Sequence, residues 1–442
     1  CKRQVPHTQK KKSDHKNQCL QQRTLIMQKI GLIQDAREQN LRKEWSIHVF
    51  NPVLEVKSRY FREYSVSPNF ILPLTKRYTT ANEKRKNRKR KRSENAANVE
   101  ISNKNKEIVK GKHEFLKDLL HCLSNDKLSY MVQEMNHCCS NHSLHSTSKQ
   151  ISTFLKELFH LERSCLELST FSDGHSVNLD QQETFCEGRL FKQIFQNQVR
   201  NSVTLKSCGR EFLVPSGASF LMCDVFDDPL WAKVILKLIG KFKLIVMDPP
   251  WPNKSALRSK RYQTLPKSSL AAISNLPVQQ LMESECFVAV WITNDPKIKR
   301  FVLEELFPEW GLTHFATWIW MKVTTAGELV CEINDPRRKP YEEILVGYKN
   351  GESDLSKDLS TGASPPEVVH NVICSVPVHH SWKPALEPLF APLVTNLKGA
   401  QKLEIFAREL RPNWTSIGNE VLYFQDSEAL VKDISPLMKV QK

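Results

Sequence analysis

An apolar run, Leu244-Ile245-Val246-Met247, leads directly into Asp248-Pro249-Pro250-Trp251. Acceptor and stacking groups at the end of a buried strand suit methyl transfer onto a planar amino nitrogen such as the exocyclic amine of adenine. That amine is a poor nucleophile because its lone pair is delocalised into the ring. The side-chain oxygen of Asp248 and the carbonyl of Pro249 could each accept one amine N–H, drawing the nitrogen towards tetrahedral geometry and localising the lone pair. Pro249 and Pro250 fix φ and remove local donors, so the acceptors are in place before a substrate arrives. Trp251 offers a face on which a base can stack. Asp248, Pro249, Pro250 and Trp251 are therefore the candidate catalytic residues. A proline-rich turn after a strand is also a common structural device; the apolar run before it and the loop after it favour the chemical reading.

That loop contains Asn253, Lys254, Ser255, Arg258, Lys260, Arg261 and Tyr262. Cations and an aromatic directly after the turn suit a phosphate backbone and a splayed base. A second basic loop, Arg337-Arg338-Lys339, runs into Pro340-Tyr341-Glu342, and both loops read as lids over one pocket. Trp291 and Asn294 could line the same mouth, whereas Trp318 and Trp320 read as core. A base modified at its amine must be flipped out of a duplex or come from a single strand.

The elements that position these residues begin near Val203, where strand-like and helix-like segments alternate. The strands are expected at Phe212–Val214, Phe220–Cys223, Leu244–Met247, Phe287–Thr293, Phe315–Met321, Ile344–Tyr348, Val372–Val376, Leu403–Phe406 and Val421–Phe424. Helices are expected at Leu230–Ile239, Ser269–Ser274, Lys297–Leu306 and Pro384–Leu393. Such alternation implies a doubly wound α/β sheet with ligands at the carboxyl ends of its strands. No Gly-x-Gly-x-x-Gly occurs among the 14 glycines, so a dinucleotide or phosphate cradle is not expected.

Ahead of that domain the texture is different. Residues 1–112 read as a basic, partly disordered region, with a helix over Leu20–Leu41 and an extended, aromatic stretch over Trp45–Tyr78 that packs on the later domain. Lys84 to Arg92 reads KRKNRKRKR, which suits a nuclear import signal, a phosphate-gripping arm or a merely solvated charge run. Residues 113–202 read as a mainly helical region, with a polar loop over Phe171–Thr184 and a helix over Leu190–Val199. Residues 203–426 form the α/β domain and 427–442 a tail.

The chain has 442 residues, enough for two or three domains, and a net charge of +16, pointing to an acidic partner such as nucleic acid. Twelve cysteines without a Cys-x-x-Cys pair argue against a structural zinc site and for reduced thiols inside a cell. His137, His142 and His145 near Cys138-Cys139 fit no common zinc spacing, and no metal is expected. No apolar stretch reaches the roughly 18 residues of a membrane helix. The chain opens on Cys1, so targeting at its start is not read.

Asp248-Pro249-Pro250-Trp251 with its flanks resembles the eukaryotic adenine-N(6) methyltransferase family related to the catalytic subunit of the messenger-RNA adenosine methyltransferase. The likeness continues, in order, through Asn253-Lys254-Ser255, Arg258, Arg261-Tyr262, Lys339-Pro340-Tyr341-Glu342, Lys383-Pro384, Glu404-Ile405-Phe406-Ala407-Arg408, Trp414-Thr415-Ser416 and Gly418-Asn419-Glu420. It covers roughly residues 205 to 425 and implies a Rossmann-like methyltransferase domain with S-adenosylmethionine as donor, a molecule that carries no phosphate. By resemblance, Asp224 and Val225 meet the donor's adenine, Asp248 its methionine amine, Lys383 its carboxylate, and Glu404, Arg408, Asn419 and Glu420 the ribose and methionine ends. Asn253, Lys254, Ser255, Arg258, Arg261, Tyr262, Trp291, Asn294, Lys339, Tyr341 and Glu342 become the candidate substrate-binding residues. One departure stands out: the messenger-RNA enzymes follow the arginine matching Arg408 with a His-Asn pair, whereas this chain has Glu409-Leu410-Arg411. A ribose contact here must be made differently.

The resemblance implies an enzyme acting on a small nuclear RNA whose target adenosine already carries a 2′-O-methyl group. A nuclear location, or a nuclear and cytosolic one, is expected, and the length of the first 200 residues suggests that the chain supplies in cis what relatives obtain from a partner, so that it acts as a monomer. DNA adenine is the alternative in the same reaction class. A silent nucleic-acid-binding scaffold and a methyltransferase for a protein amide or small amine are the readings from other classes.

Overall fold

The computed structural model describes residues 45–49, 64–66, 176–180, 183–185, 190–207, 209–226, 230–252, 270–324, 327–335, 338–351, 368–377, 379, 381–427 and 430–432. The expected helices over Leu20–Leu41 and within 113–167, the basic block Lys84 to Arg92, the His/Cys cluster and Asn253, Lys254, Ser255, Arg258, Arg261 and Tyr262 lie outside them.

In chain order the strands are β1 (Trp45–Val49), β2 (Tyr64–Val66), β3 (Ser176–Asn178), β4 (Glu183–Phe185), β5 (Ile194–Gln196), β6 (Val203–Ser207), β7 (Arg210–Val214) and β8 (Ser219–Met222). They continue as β9 (Phe242–Met247), β10 (Met282–Ile292), β11 (Thr313–Lys322), β12 (Tyr341–Lys349), β13 (His370–Ser375), β14 (Lys402–Ile405), β15 (Thr415–Gly418) and β16 (Leu430–Lys432). Eleven of them form one sheet in the order β1-β13-β11-β12-β10-β9-β14-β15-β8-β5-β3. The centre, β10-β9-β14-β15-β8, is parallel throughout, and only β12 runs against its neighbours on the other side. This is a Rossmann-like α/β domain with a mixed sheet. Strands from before Val203 join it: β1 adds to β13, and β5 to β8. Separately, β4, β6 and β7 form a three-stranded sheet.

The apolar run of β9 is explained by its central place. Ile245 and Met247 enter one core with Trp231, Ile235 and Val302, while Leu244 and Val246 enter another with Trp291, Trp318 and Phe390. A strand buried on both faces reads as continuous hydrophobicity rather than alternation. Helices are short: α1 (Leu230–Leu238), α2 (Leu270–Ser274), α3 (Val278–Leu281), α4 (Pro296–Phe301), α5 (Phe307–Glu309) and α6 (Glu387–Phe390).

Several elements differ from expectation. The helix expected over Lys297–Leu306 starts at Pro296, capped by Asp295 accepting from the Lys297 N–H at 2.9 Å, and widens into a π-turn at Val302–Leu306. Only Glu387–Phe390 of the expected Pro384–Leu393 helix is helical. Instead of a helix, Leu190–Val199 contains β5, because Lys192 takes a left-handed φ of 58° that no helix continues through. Phe171–Thr184 contains β3 and the start of β4 rather than only loop. Val421–Phe424 is a turn whose apolar residues are buried; the Phe424 N–H donates to Arg408 O at 3.0 Å, folding the segment back on the loop after β14. The strand that belongs there is β15, hidden in the sequence because Thr415 and Ser416 are polar yet buried.

Candidate active site

All the parallel strands deliver their carboxyl ends to one edge of the sheet. Asp224 follows β8 there, Asp248 follows β9, Asn294 follows β10, Phe406 to Arg408 follow β14, and Asn419 follows β15. Since β12 is antiparallel, its beginning, Tyr341 and Glu342, reaches the same edge beside Lys322 at the end of β11.

Asp248 is the first residue past β9. The Trp251 N–H donates to Pro249 O at 2.7 Å, closing the turn; a carbonyl has a second lone pair for an incoming donor. Trp251 does not present a free face. It is 4% exposed, its Nε1 donates to Trp291 O at 2.7 Å, and its ring meets Phe301 edge-on at 6.4 Å. The indole therefore anchors the Asp-Pro-Pro turn to β10, which corrects the stacking role expected for it.

Starting from Asp248, four charges alternate in sign. Lys383 Nζ lies 3.6 Å from Asp248 and pairs closely with Glu342, whose other oxygen takes Lys322. Lys383 also sits 4.8 Å from the centre of the Trp291 ring and 5.8 Å from that of Trp320, and Lys322 lies 4.6 Å over Trp320. Burial pushes the Asp248 carboxyl above its ordinary value, with Lys383 opposing and Glu342 reinforcing the rise. Burial would push Glu342 up too, but Lys322 and Lys383 together hold it well below the usual carboxylate range. Burial would lower Lys383, and Asp248 and Glu342 raise it instead. One cation is thus shared between a carboxylate whose pKa is lowered and one whose pKa is raised.

Glu342 therefore acts within this charge chain. Asn294 Nδ2 donates to Tyr341 O at 3.0 Å and ties β10 to β12, while Tyr341 is 4% exposed, its hydroxyl pushed up to about 12 by burial and by Glu343. Tyr341 is core rather than lid. Trp291 is likewise buried, offering its face to Lys383, and Lys339 Nζ reaches Ile333 O at 3.4 Å.

A narrow cleft lies beside Asp248. Of the donor-binding candidates, Asp248, Lys383, Glu404 and Arg408 line it together. Glu420 lies behind, paired with Arg408 at 2.8 Å, and Asn419 is half-buried next to Gly418. Asp224 Oδ1 accepts from the Phe226 N–H at 3.0 Å, and Val225 is buried in the core with its carbonyl taking Trp231 Nε1 at 3.2 Å. Those two sit at the same edge but outside the cleft wall, where their described contacts shape the turn after β8.

Sequence reasoning missed Ser381, Trp382, Phe406, Glu409 and Phe424 on the wall and Lys322 behind it. Phe406 and Ser381 adopt left-handed φ of 63° and 68°, conformations that cost energy in non-glycine residues and cluster at functional sites. The bend at Phe406 turns the chain from β14 into the cleft. It is braced by Gly418, where an added Cβ would lie 3.2 Å from Ala407 O and 3.3 Å from Phe406 Cα.

Part of the wall suits the amino-acid end of S-adenosylmethionine: an adjacent cation and anion, Lys383 and Asp248, match its zwitterion, and Phe406 lines the same wall. Among the described residues no cluster could hold a metal ion, and none of their helices is long and apolar enough to cross a membrane.

Residues 242–420, which begin with β9 and its Asp-Pro-Pro-Trp turn, match the MT-A70 family model: the chain carries an MT-A70 domain. The chain is similar to the N(6)-adenine-specific methyltransferase METTL4 of Mus musculus, 37% identical over 243 residues that make up 55% of this chain and 50% of that protein. It is 35% identical over 199 residues to the N6-methyladenosine RNA methyltransferase MTA1 of Pyricularia oryzae, covering 44% of this chain and 50% of that one. It is 31% identical over 231 residues to the DNA N6-methyl methyltransferase of Caenorhabditis elegans, covering 52% and 58%. The chain spans about half the length of the curated relatives it matches.

Proposed function

We propose that this protein transfers the methyl group of S-adenosylmethionine to the N6 amine of adenine in nucleic acid, with RNA as its substrate. The finer target is a 2′-O-methylated adenosine in small nuclear RNA, and the site of action is the nucleus. The observation that carries the reading is Asp248, held at the end of β9 between a charged cleft and the Lys383–Glu342–Lys322 chain.

When bound, S-adenosylmethionine supplies an electrophilic methyl on a sulfonium. Lys383, Glu404 and Arg408, which line the cleft, would hold and orient it. Asp248 and the Pro249 carbonyl accept the two amine N–H bonds of an extruded adenine, concentrating its lone pair on nitrogen. Preorganised acceptors of this kind act where charge develops in the transition state. Once the methyl has arrived, the extra amine proton leaves to solvent; the site needs no strong base.

The excess of positive charge suits either nucleic acid, and relatives named for RNA and for DNA both match; the residue pattern shared with RNA enzymes favours RNA. The test is transfer of labelled methyl to matched RNA and DNA oligomers, with and without 2′-O-methyl at the target. Strong labelling of DNA with negligible labelling of RNA would reverse the assignment. Asp248→Ala is expected to abolish transfer in a folded chain. Activity that co-migrates with a monomer in size-exclusion chromatography is expected, and activity confined to a larger species would remove that part of the reading.

A further inference from the structure

The helix that braces the catalytic turn carries cations that the proposed mechanism does not use. Three of the four residues from 297 to 300 are basic: Lys297, Lys299 and Arg300. The inner face of α4 buries Ile298 and Phe301, and the Phe301 ring meets Trp251 of the Asp-Pro-Pro-Trp turn edge-on. The approach to the helix is held by Asn294, whose Nδ2 donates to Tyr341 O at 3.0 Å, and its flank by Lys299, whose Nζ reaches both oxygens of Glu343 at 3.4 Å. α4 is thus fixed beside the turn and beside the start of β12, the strand that follows Arg338 and Lys339. Lys297 and Arg300 are three residues apart and so share one side of the helix. Both are exposed, and neither forms a side-chain hydrogen bond or ion pair with another of the described residues.

Local helix energetics disfavour this placement. α4, the π-turn and α5 make one helical run from Pro296 to Glu309, with its bases in the first two turns and Glu304, Glu305 and Glu309 further on. The helix dipole prefers the reverse order, acids first and bases last; only the capping Asp295 complies. Asp295 also takes the Lys297 N–H, so side chains rather than helix amides are offered outward. Cations set against the dipole, on an element packed against the catalytic turn, suit an external polyanion. Arg338, exposed, and Lys339, half-buried, continue the positive strip at the same corner of the sheet. We propose that Lys297 and Arg300 grip backbone phosphates of the substrate strand next to the extruded adenine. The inference rests on the nucleic-acid reading given above and names the surface on which that strand lies.

The test compares wild type, the double variant Lys297→Ala with Arg300→Ala, and a control of equal charge, Lys233→Ala with Lys237→Ala on the exposed side of α1. Binding of a single-stranded RNA oligomer containing the target adenine is followed by fluorescence anisotropy between about 50 and 200 mM salt, and methyl transfer is measured on the same oligomer. Each lost phosphate contact lowers the slope of log K against log salt by about 0.7, so the α4 pair is expected to lower it by about 1.4. KM is expected to rise by about tenfold with kcat within about twofold of wild type, since phosphate contacts position the strand. The thermal midpoint is expected to stay equal or to rise, because the conflict with the dipole is relieved. An unmoved slope in the α4 pair, with wild type still transferring methyl, would overturn this assignment alone, and so would an equal loss in the control pair. A fall in kcat with KM unmoved would make the two residues structural and overturn it as well. Weaker binding of the α4 pair to vesicles of phosphatidylcholine and phosphatidylserine, with the oligomer slope unmoved, would overturn it in favour of a membrane surface. Wild type that neither binds nor methylates an RNA or DNA oligomer would overturn the nucleic-acid reading and this assignment with it.

Discussion

Replacing Lys322 by methionine removes one of two cations that serve two carboxylates, and the consequence can be worked through the charge chain. A contact ion pair at about 4 Å and an effective dielectric near 20 is worth about 4 kcal/mol. The side chains of Lys322 and Glu342 are 20% and 23% exposed, so water screens the pair, and about 2 kcal/mol, or about 1.5 pH units on Glu342, is a reasonable share. Glu342 starts well below the ordinary range and so stays ionised near neutrality even after that loss. It then draws more fully on Lys383, and Asp248 loses part of its counter-ion. Asp248 is already lifted by burial; Arg408 is the other cation facing it and Glu342 the other anion. Of the two carboxylates, Asp248 is therefore the one that takes up a proton first on acidification. A protonated carboxyl is the poorer acceptor, so the acidic limb of kcat/KM moves to higher pH by about 0.5 to 1 unit, while Lys322→Arg keeps it in place. The assay is the pH profile of methyl transfer to an RNA oligomer with each variant. A uniform fall at every pH with the limb unmoved, or a limb displaced to lower pH, would refute the electrostatic account and leave Lys322 a packing residue.

Asp248→Asn is expected to leave the thermal midpoint at neutral pH equal to or above that of wild type while transfer falls by about 10² or more. A folded-state pKa raised by burial means that the ionised group weighs against folding as pH rises above its unfolded value; a midpoint lowered by several degrees would contradict this. Gly418→Ala is expected to cost about 1–3 kcal/mol in urea denaturation and to weaken donor binding, because its Cβ presses on Ala407 and Phe406; an unchanged midpoint would count against the brace. Trp251→Phe keeps the ring but loses the bond to Trp291 O, so about 1–2 kcal/mol of stability and part of kcat should go together. Full activity in that variant would show that the turn does not depend on its anchor.

The central strand and its motif were legible because they obey local rules. Leu244 to Met247 is a continuous apolar run because both faces of β9 are covered, and that run together with the basic loop after the acid-proline turn tipped a common structural device towards a chemical reading. The parts that were not legible depend on contacts far apart in sequence. Thr415 and Ser416 look like surface yet form a buried strand, because β14 and β8 flank it, and nothing within a short window reports that. Trp251 and Tyr341 looked like binding aromatics, and the sheet instead uses both as internal anchors. Lys322 sits 20 residues from Glu342 in sequence, and only the antiparallel pairing of β11 with β12 makes the two neighbours.

This last case bears on how the site works. β12 is antiparallel to the strands that deliver the other site residues, so it brings its first residues, rather than its last, to the carboxyl edge. A fully parallel sheet would place only strand ends there, each followed by a loop free to drift. Starting β12 at that edge sets Glu342 within the pairing of β11 with β12, where Trp320 stands opposite it. From there it fixes Lys383, and through Lys383 it sets the charge balance around Asp248. Asp248 thus owes its electrostatics to a rigid strand pair, and its position to a short turn pinned by Trp251. Damage to the first should appear in the pH profile, and damage to the second in the rate at every pH.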